Sequence, residues 1–166
     1  MKKNNTKTVV LSALFCAVIC LATMIIKIPT PLKGYINLGD GAVLLAAWIL
    51  PSGFAFLAAG IGSALADIFS GYIVYAPITF LVKGIMTILA YLVFKAIKQE
   101  NLFSRVLSAV TAEIFMILGY FIFEGFMYGF LPSLANIPAN ALQGIAGALL
   151  SILTISHLKK AISKIF

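Results

Sequence analysis

Long apolar stretches alternate with short polar connections along almost the whole chain. Charged residues and Pro/Gly turns divide it into six apolar segments, at residues 8–28, 38–50, 53–70, 76–97, 106–130 and 138–158. A helix needs about 20 apolar residues to cross a bilayer, or somewhat fewer where flanking polar residues help. The pattern therefore predicts an all-α, polytopic membrane protein, a single domain over residues 1–166 with six transmembrane helices.

Composition agrees with this prediction. Hydrophobic residues make up 62% of the chain and charged residues 10%, which is outside the usual range of soluble globular domains. Six crossings use most of the 166 residues, so we expect no separate soluble domain.

The division between the second and third segments depends on a turn. Residues 36–69 form one nearly continuous apolar stretch that is too long for a single crossing. Pro51, Ser52 and Gly53 can form a turn inside it, because Pro interrupts a helix and Gly adopts positive φ easily. We predict a helical hairpin, with one kinked helix as the alternative.

Basic residues predict the orientation. Nine of the twelve lie in connections on one side, namely Lys2, Lys3, Lys7, Lys95, Lys98, Arg105, Lys159, Lys160 and Lys164, while Lys27 and Lys33 lie on the other. Cytoplasmic loops carry the excess of Lys and Arg, so both termini are predicted to be cytoplasmic. The net charge of +7 then fits anionic lipid headgroups, and we expect no nucleic-acid partner.

Polar residues inside the apolar segments collect near the outer side. Asp67, Lys83 and Glu124 share one depth, and ionisable groups in a membrane usually face a cavity or a partner. The same layer contains Asn37, Asp40, Tyr72, Tyr75, Thr79, Tyr120, Asn140 and Gln143. These eleven residues are the predicted binding site for a small molecule.

A purely structural interpretation remains open for the same residues. Lys83 could neutralise Glu124 or Asp67 and hold helices together, and the tyrosines could belong to an interfacial aromatic belt. Glu113, in the inner half, could serve either helix pairing or coupling.

Small residues recur at every fourth position, which lets helix backbones approach closely. Ala13 and Ala17 form such a step in the first segment. Further steps are Ala55–Ala59–Ser63, Ala58–Gly62–Ala66, Gly144–Ala148 and Gly147–Ser151. Each stripe predicts either internal packing or a partner helix.

Several catalytic signatures are absent from the sequence. It contains no G-x-x-x-x-G-K-[ST] phosphate loop, no H-E-x-x-H motif and no cluster of Cys and His. We therefore expect no enzymatic activity, no bound metal and no cofactor, and any ATP use would reside in another chain.

Four runs together resemble the substrate-binding S components of energy-coupling factor (ECF) vitamin transporters. They are GYINLGD at 34–40, the PSG turn at 51–53, GSALAD at 62–67 and GY…YAPITF…KG over 71–84. The resemblance implies a bacterial plasma-membrane subunit that captures a water-soluble vitamin from outside and tips over in the membrane to deliver it. It also implies a transmembrane coupling subunit, contacted through Ala13 and Ala17, with two ATPase subunits. In that family the pocket lies beneath the loops that correspond here to residues 29–37 and 70–75.

The predicted substrate is a small aromatic heterocycle. Asp67, Lys83 and Glu124 sum to one negative charge, and tyrosines can stack on a flat ring. The carboxylates would accept hydrogen bonds from the ligand and Lys83 would orient them. Hydroxymethylpyrimidine, thiamine or pyridoxine fit this description, and riboflavin is the alternative. A stand-alone carrier and an assembly subunit without a ligand remain open as other classes.

Overall fold

Helices make up nearly all of the structure, a computed structural model that describes residues 3–30 and 34–165. In chain order the elements are α1 (Lys3–Ile25), β1 (Ile28–Pro29), β2 (Tyr35–Ile36), α2 (Gly39–Ile49), α3 (Ser52–Phe69), α4 (Ala76–Ala96), α5 (Leu102–Tyr128), α6 (Phe130–Ser133), a 3-10 turn (Leu134–Asn136) and α7 (Ile137–Ile165). The prediction of an all-α protein is confirmed, with one antiparallel pair of two-residue strands as a minor addition. Lys2 and Lys33, which entered the orientation argument, lie outside the described residues.

Within residues 3–30 and 34–165, five stretches are long and apolar enough to cross a membrane. They are Thr6–Ile25, Ser52–Phe69, Ala76–Ala96, Leu102–Tyr128 and Phe130–Lys164. The remaining apolar helix, α2, has 11 residues, which corresponds to a length of roughly 16 Å. That is about half of the hydrocarbon thickness, so α2 alone is shorter than an ordinary crossing.

The chain breaks between α2 and α3 at the predicted place. Leu50 and Pro51 are extended, with ψ of 155° and 143°, and α3 begins at Ser52. Two extended residues exclude one continuous kinked helix.

Several helix ends differ from the prediction. α1 spans Lys3–Ile25 instead of 8–28, because Ile28 and Pro29 pair with β2. α5 begins at Leu102 instead of 106, since the Asn101 side chain accepts the Ser104 N–H at 2.9 Å in a capping box.

At the other end of the chain, α7 runs to Ile165 instead of 158, and residues 130–136, predicted to lie largely in a loop, are mostly helical. Charged residues mark where lipid ends, whereas a helix continues into water as long as its backbone hydrogen bonds do.

α2 lies at the centre of the bundle and packs against α1, α3, α4 and α7. The small residues in the stripes of α3 and α7 are buried, except for Ala148, which is half-buried. At Gly62 an added Cβ would lie 2.5 Å from the carbonyl oxygen of Cys16, so α1 and α3 touch through their backbones. Ala13 and Ala17 behave differently, because both are exposed on the outer face of α1.

Candidate functional site

A polar cavity lies at one end of the bundle. α1, α3 and α5 end beside it, and α2, α4 and α7 begin there, so the helices alternate in direction and the start of α1 and the end of α7 lie at the opposite end. The residues that line the cavity are Thr23, Thr30, Gly34, Tyr35, Asn37, Ser63, Asp67, Tyr75, Thr79, Lys83, Tyr120, Glu124, Asn140 and Gln143. Its free volume of about 30 Å³ is small compared with the roughly 300–1,000 Å³ of typical ligand pockets.

Nine of the eleven predicted site residues line this cavity. The other two, Asp40 and Tyr72, are not among its lining residues. Asp40 is fully buried behind the wall, and the Tyr72 ring packs on Tyr35 with 4.6 Å between ring centroids. The structure thus brings together side chains from five helices and the first loop, and Asn37 and Gln143, which are 106 residues apart in sequence, are hydrogen-bonded.

Lys83 forms an ion pair with Asp40, not with Glu124 or Asp67 as the sequence suggested. Gln143 donates its Nε2 to the second Asp40 oxygen at 2.7 Å, and the Asn37 N–H donates to Gln143 Oε1 at 2.9 Å. Asn37 in turn accepts the Gly39 N–H at 2.9 Å, which stabilises the first turn of α2. This buried network joins α2, α4 and α7 behind the cavity.

Asp67 and Glu124 each have one satisfied oxygen. Tyr35 donates its hydroxyl to Asp67 Oδ1 at 2.6 Å, so the first loop closes over α3. Glu124 Oε1 accepts the Tyr75 hydroxyl at 3.3 Å and Asn136 Nδ2 at 2.8 Å. The second oxygens, Oδ2 and Oε2, have no hydrogen-bond partner in the described part of the chain.

Thr79, Tyr120 and Lys83 complete the wall. The Tyr120 hydroxyl donates to Thr79 Oγ1 at 3.1 Å, and Thr79 lies beside the Asp67 carboxylate. Lys83 Nζ lies 5.5 Å from the centre of the Tyr120 ring, which is cation–π distance. The hydrogen bond to Thr79 and the contact with Lys83 therefore position Tyr120, whose side chain lines the cavity.

Sequence reasoning missed five lining residues. Tyr35, Thr30 and Gly34 belong to the first loop, where no helical period predicts which side chains face inward. Ser63 was assigned to the small-residue stripe, although it precedes Asp67 by one helical turn and so shares its face. Thr23, in the last turns of α1, carried no comparable signal.

Glu113 lies on α5 below this layer. It is buried, and neither carboxylate oxygen has a partner among the described residues. Its Oε2 would lie 3.0 Å from a Cβ added at Gly144, so glycine at that position lets α7 pack directly on the carboxylate. Glu113 thus belongs to the α5–α7 contact and does not line the cavity.

At the opposite end of the bundle, the polar contacts are exposed ion pairs centred on Glu100. Arg105 Nη2 lies 3.1 Å from Glu100 Oε1, and Lys159 bonds the same oxygen. These contacts, chiefly the one from Lys159, hold the pKa of Glu100 below its ordinary value. Within the described ranges, no three His, Cys, Asp or Glu side chains come together as a possible metal site.

These features define a polytopic membrane protein with a small polar cavity at one end, as expected of a transporter subunit that holds a small solute. The sequence pattern of the ECF-type riboflavin transporter S component family matches residues 3–160, and the chain belongs to this family. This is a family of transporter components and not of enzymes.

The chain is also similar to one curated protein in sequence and to two solved structures in fold. The chain is similar to an uncharacterised protein of Pyrococcus woesei, with 30% identity over 133 residues that cover 80% of this chain and 88% of the relative. Its fold is similar to the S component of a bacterial ECF transporter (TM-score 0.77, 23% identity, 95% and 98% of the two chains covered). It is also similar to the biotin S component of an ECF-type ABC transporter (TM-score 0.76, 19% identity, 96% and 94% covered).

Proposed function

We propose that the chain is the substrate-binding subunit of an ECF-type importer and binds a small aromatic heterocycle, either a water-soluble vitamin or a vitamin precursor. The observation that carries this proposal is the cavity itself. Its wall combines tyrosine rings with buried carboxylate and amide groups, and it sits beneath the first loop and the 70–75 loop. A helix bundle held together only by structural ion pairs would not need such a cavity.

Hydroxymethylpyrimidine, thiamine and pyridoxine are the proposed ligands, with the rings of Tyr75 and Tyr120 as stacking surfaces. Asn140 and Gln143 lie at the start of α7 and supply amides for the edge of the ring. Riboflavin is the second candidate, because the matching family is described as riboflavin-type. Its three fused rings would require a larger expansion of the cavity than a single ring would.

The proposed topology has six crossings and both termini in the bacterial cytoplasm. The short α2 would provide one crossing together with its flanking residues. Lys95, Lys98, Arg105, Lys159 and Lys160 lie at the end opposite the cavity, which supports a cytoplasmic assignment for that end. The cavity would then open to the outside, where the solute is captured.

Ala13 and Ala17 are the proposed contact with the coupling subunit. They are exposed on α1, whereas the comparable stripes of α3 and α7 are buried inside the chain. A second helix could therefore approach the α1 backbone closely at these positions. Two partner ATPase subunits would supply the energy, and this subunit would need no cofactor of its own.

Two measurements test the proposal. A ligand that binds only the folded state must raise its apparent stability, so the detergent-purified protein is screened for thermal shifts against B vitamins and their precursors. Uptake into cells is then measured with and without a co-expressed coupling subunit and ATPases. Ligand-induced stabilisation with ATPase-dependent uptake is expected. Uptake in liposomes without any partner would instead identify a stand-alone carrier.

A further inference from the structure

The cavity wall contains buried hydrogen-bond acceptors that have no partner among the described residues. Asp67 Oδ2 and Glu124 Oε2 both belong to side chains that are 3% exposed, and neither has a partner in the ranges that the structure describes. The hydroxyls of Ser63 and Thr30 are unpartnered under the same restriction. All four side chains line the cavity, so a ligand inside it can reach them.

The charges of the wall are also unbalanced. Lys83 is the one basic residue among the described lining residues, and it is ion-paired with Asp40 behind the wall. Among the described lining residues, Asp67 and Glu124 therefore have no cation of their own to balance them. The sequence predicted one net negative charge from Asp67, Glu124 and Lys83. Because Lys83 is paired with Asp40, the charges of Asp67 and Glu124 are not offset by it.

An ionised carboxylate without a partner is expensive to bury. A ligand that brings N–H donors or a positive charge relieves that cost, and charge-assisted hydrogen bonds are about twice as strong as neutral ones. A ligand with its own carboxylate would add a third negative charge to the same wall. The two kinds of ligand should therefore differ strongly in affinity.

We propose that the cavity selects a ligand that bears a protonated amine or an amino-substituted ring, and that Asp67 Oδ2 and Glu124 Oε2 accept its hydrogen bonds. This inference rests on the proposed function and specifies the ligand class within it. It favours aminated heterocycles over their hydroxyl, oxo or carboxylate counterparts. Asp67 and Glu124 are then the residues that determine specificity.

Matched ligands test this selection. Pyridoxamine, pyridoxine and 4-pyridoxate share one ring and differ in an ammonium, a hydroxyl or a carboxylate group, while thiamine and oxythiamine differ in an amine or an oxo group. Affinities are measured by titration calorimetry and thermal shift. In the wild-type protein we expect the aminated member of whichever set binds to exceed its carboxylate or oxo counterpart by at least about tenfold.

Two variants test whether Asp67 and Glu124 cause the preference for aminated ligands. Asp67→Asn and Glu124→Gln keep the side-chain size but replace an acceptor with a donor, so the ratio of the two affinities should fall towards one. This ratio does not depend on the folded fraction of each preparation, which keeps the test valid for a destabilised variant. Glu100→Gln, which removes a carboxylate at the far end of the bundle, should leave the ratio unchanged.

Equal or tighter binding of the carboxylate or oxo member would overturn the inference and leave the proposed vitamin-binding function intact. An amine preference that survives in both variants would also overturn it. If folded protein binds no member of the sets and no other vitamin, the proposed function itself fails and this inference fails with it.

Discussion

Removal of the Lys83 ammonium should destabilise the protein strongly. Side-chain exposure is 3% for Lys83 and 0% for Asp40, so Lys83→Met leaves a buried carboxylate whose remaining described partner is Gln143. Breaking a buried ion pair by removing one partner costs about 3–5 kcal/mol. For a chain of this size each kcal/mol lowers the melting temperature by about 2–4 °C, which gives an expected decrease of roughly 6–20 °C.

Thermal unfolding of the ligand-free protein in detergent measures this decrease. Trp48 is the only tryptophan and lies buried in α2, with its Nε1 donated to Ser108 Oγ at 2.9 Å. Its fluorescence therefore reports the helix that carries Asp40. The matched control is Lys159→Met, because the Lys159–Glu100 pair is 36% and 46% exposed and should contribute no more than about 1 kcal/mol.

The double variant Asp40→Asn/Lys83→Met completes the test. With the carboxylate neutralised, position 40 no longer holds a buried charge that has lost its partner, so we expect at least half of the lost stability to return. If Lys83→Met is as stable as Lys159→Met, or if the double variant is no more stable than Lys83→Met alone, then an unpaired Asp40 carboxylate does not cause the loss of stability.

Three further predictions follow from other parts of the structure. Gly62→Ala should lower the melting temperature by several degrees, because its Cβ would meet the Cys16 carbonyl at 2.5 Å; Gly53→Ala in the same helix meets nothing within 4 Å and should be neutral or slightly stabilising. Folding lowers the pKa of Glu100, so its ionised carboxylate should add to the free energy of unfolding, by less than about 1 kcal/mol at this exposed site. This stabilisation should be complete above the ordinary pKa of 4.5 and disappear as pH falls through the lowered pKa. The difference in melting temperature between wild type and Glu100→Gln across pH measures it. Ala13→Trp and Ala17→Trp should leave ligand affinity unchanged but abolish ATPase-dependent uptake, and normal uptake by both would remove α1 as the proposed coupling surface.

For the Gly62 and Glu100 predictions the contrary results are equally definite. Equal stability of the two alanine variants would mean that α1 and α3 do not touch through their backbones. A difference in stability between wild type and Glu100→Gln that does not change with pH would mean that folding does not lower the pKa of this carboxylate.

The sequence was sufficient to predict the depth at which the site residues lie, but not which of their side chains pair with each other. Apolar segments and their charged ends placed Asp67, Lys83 and Glu124 at one depth, because depth follows directly from position along a helix. The choice of Asp40 as the partner of Lys83 depends on how far each helix is rotated about its axis. Several carboxylates at the same depth satisfy the sequence pattern equally well.

For the first loop, the side chains that face the cavity could not be predicted, for a different reason. Tyr35 bonds Asp67 from a two-residue strand, and a segment of that length has no periodicity from which an inward face could be predicted. Helix ends were misplaced where helices continue past the lipid. At Asn101, the pairing with Ser104 is a recognisable cap, but Arg105 drew the predicted start of α5 to residue 106.

The small volume of the cavity has a kinetic consequence. A free space of about 30 Å³ is too small for a heterocyclic ring, so described residues around the cavity must move apart before a ring can enter. Parting Tyr35 from Asp67 and Tyr75 from Glu124 breaks two hydrogen bonds to carboxylates, each contributing about 1.5–3 kcal/mol when the carboxylate is ionised. The open population would then be roughly one molecule in a hundred to one in ten thousand. Association would be slower than diffusion by a similar factor, and a bound solute would have a correspondingly long residence time.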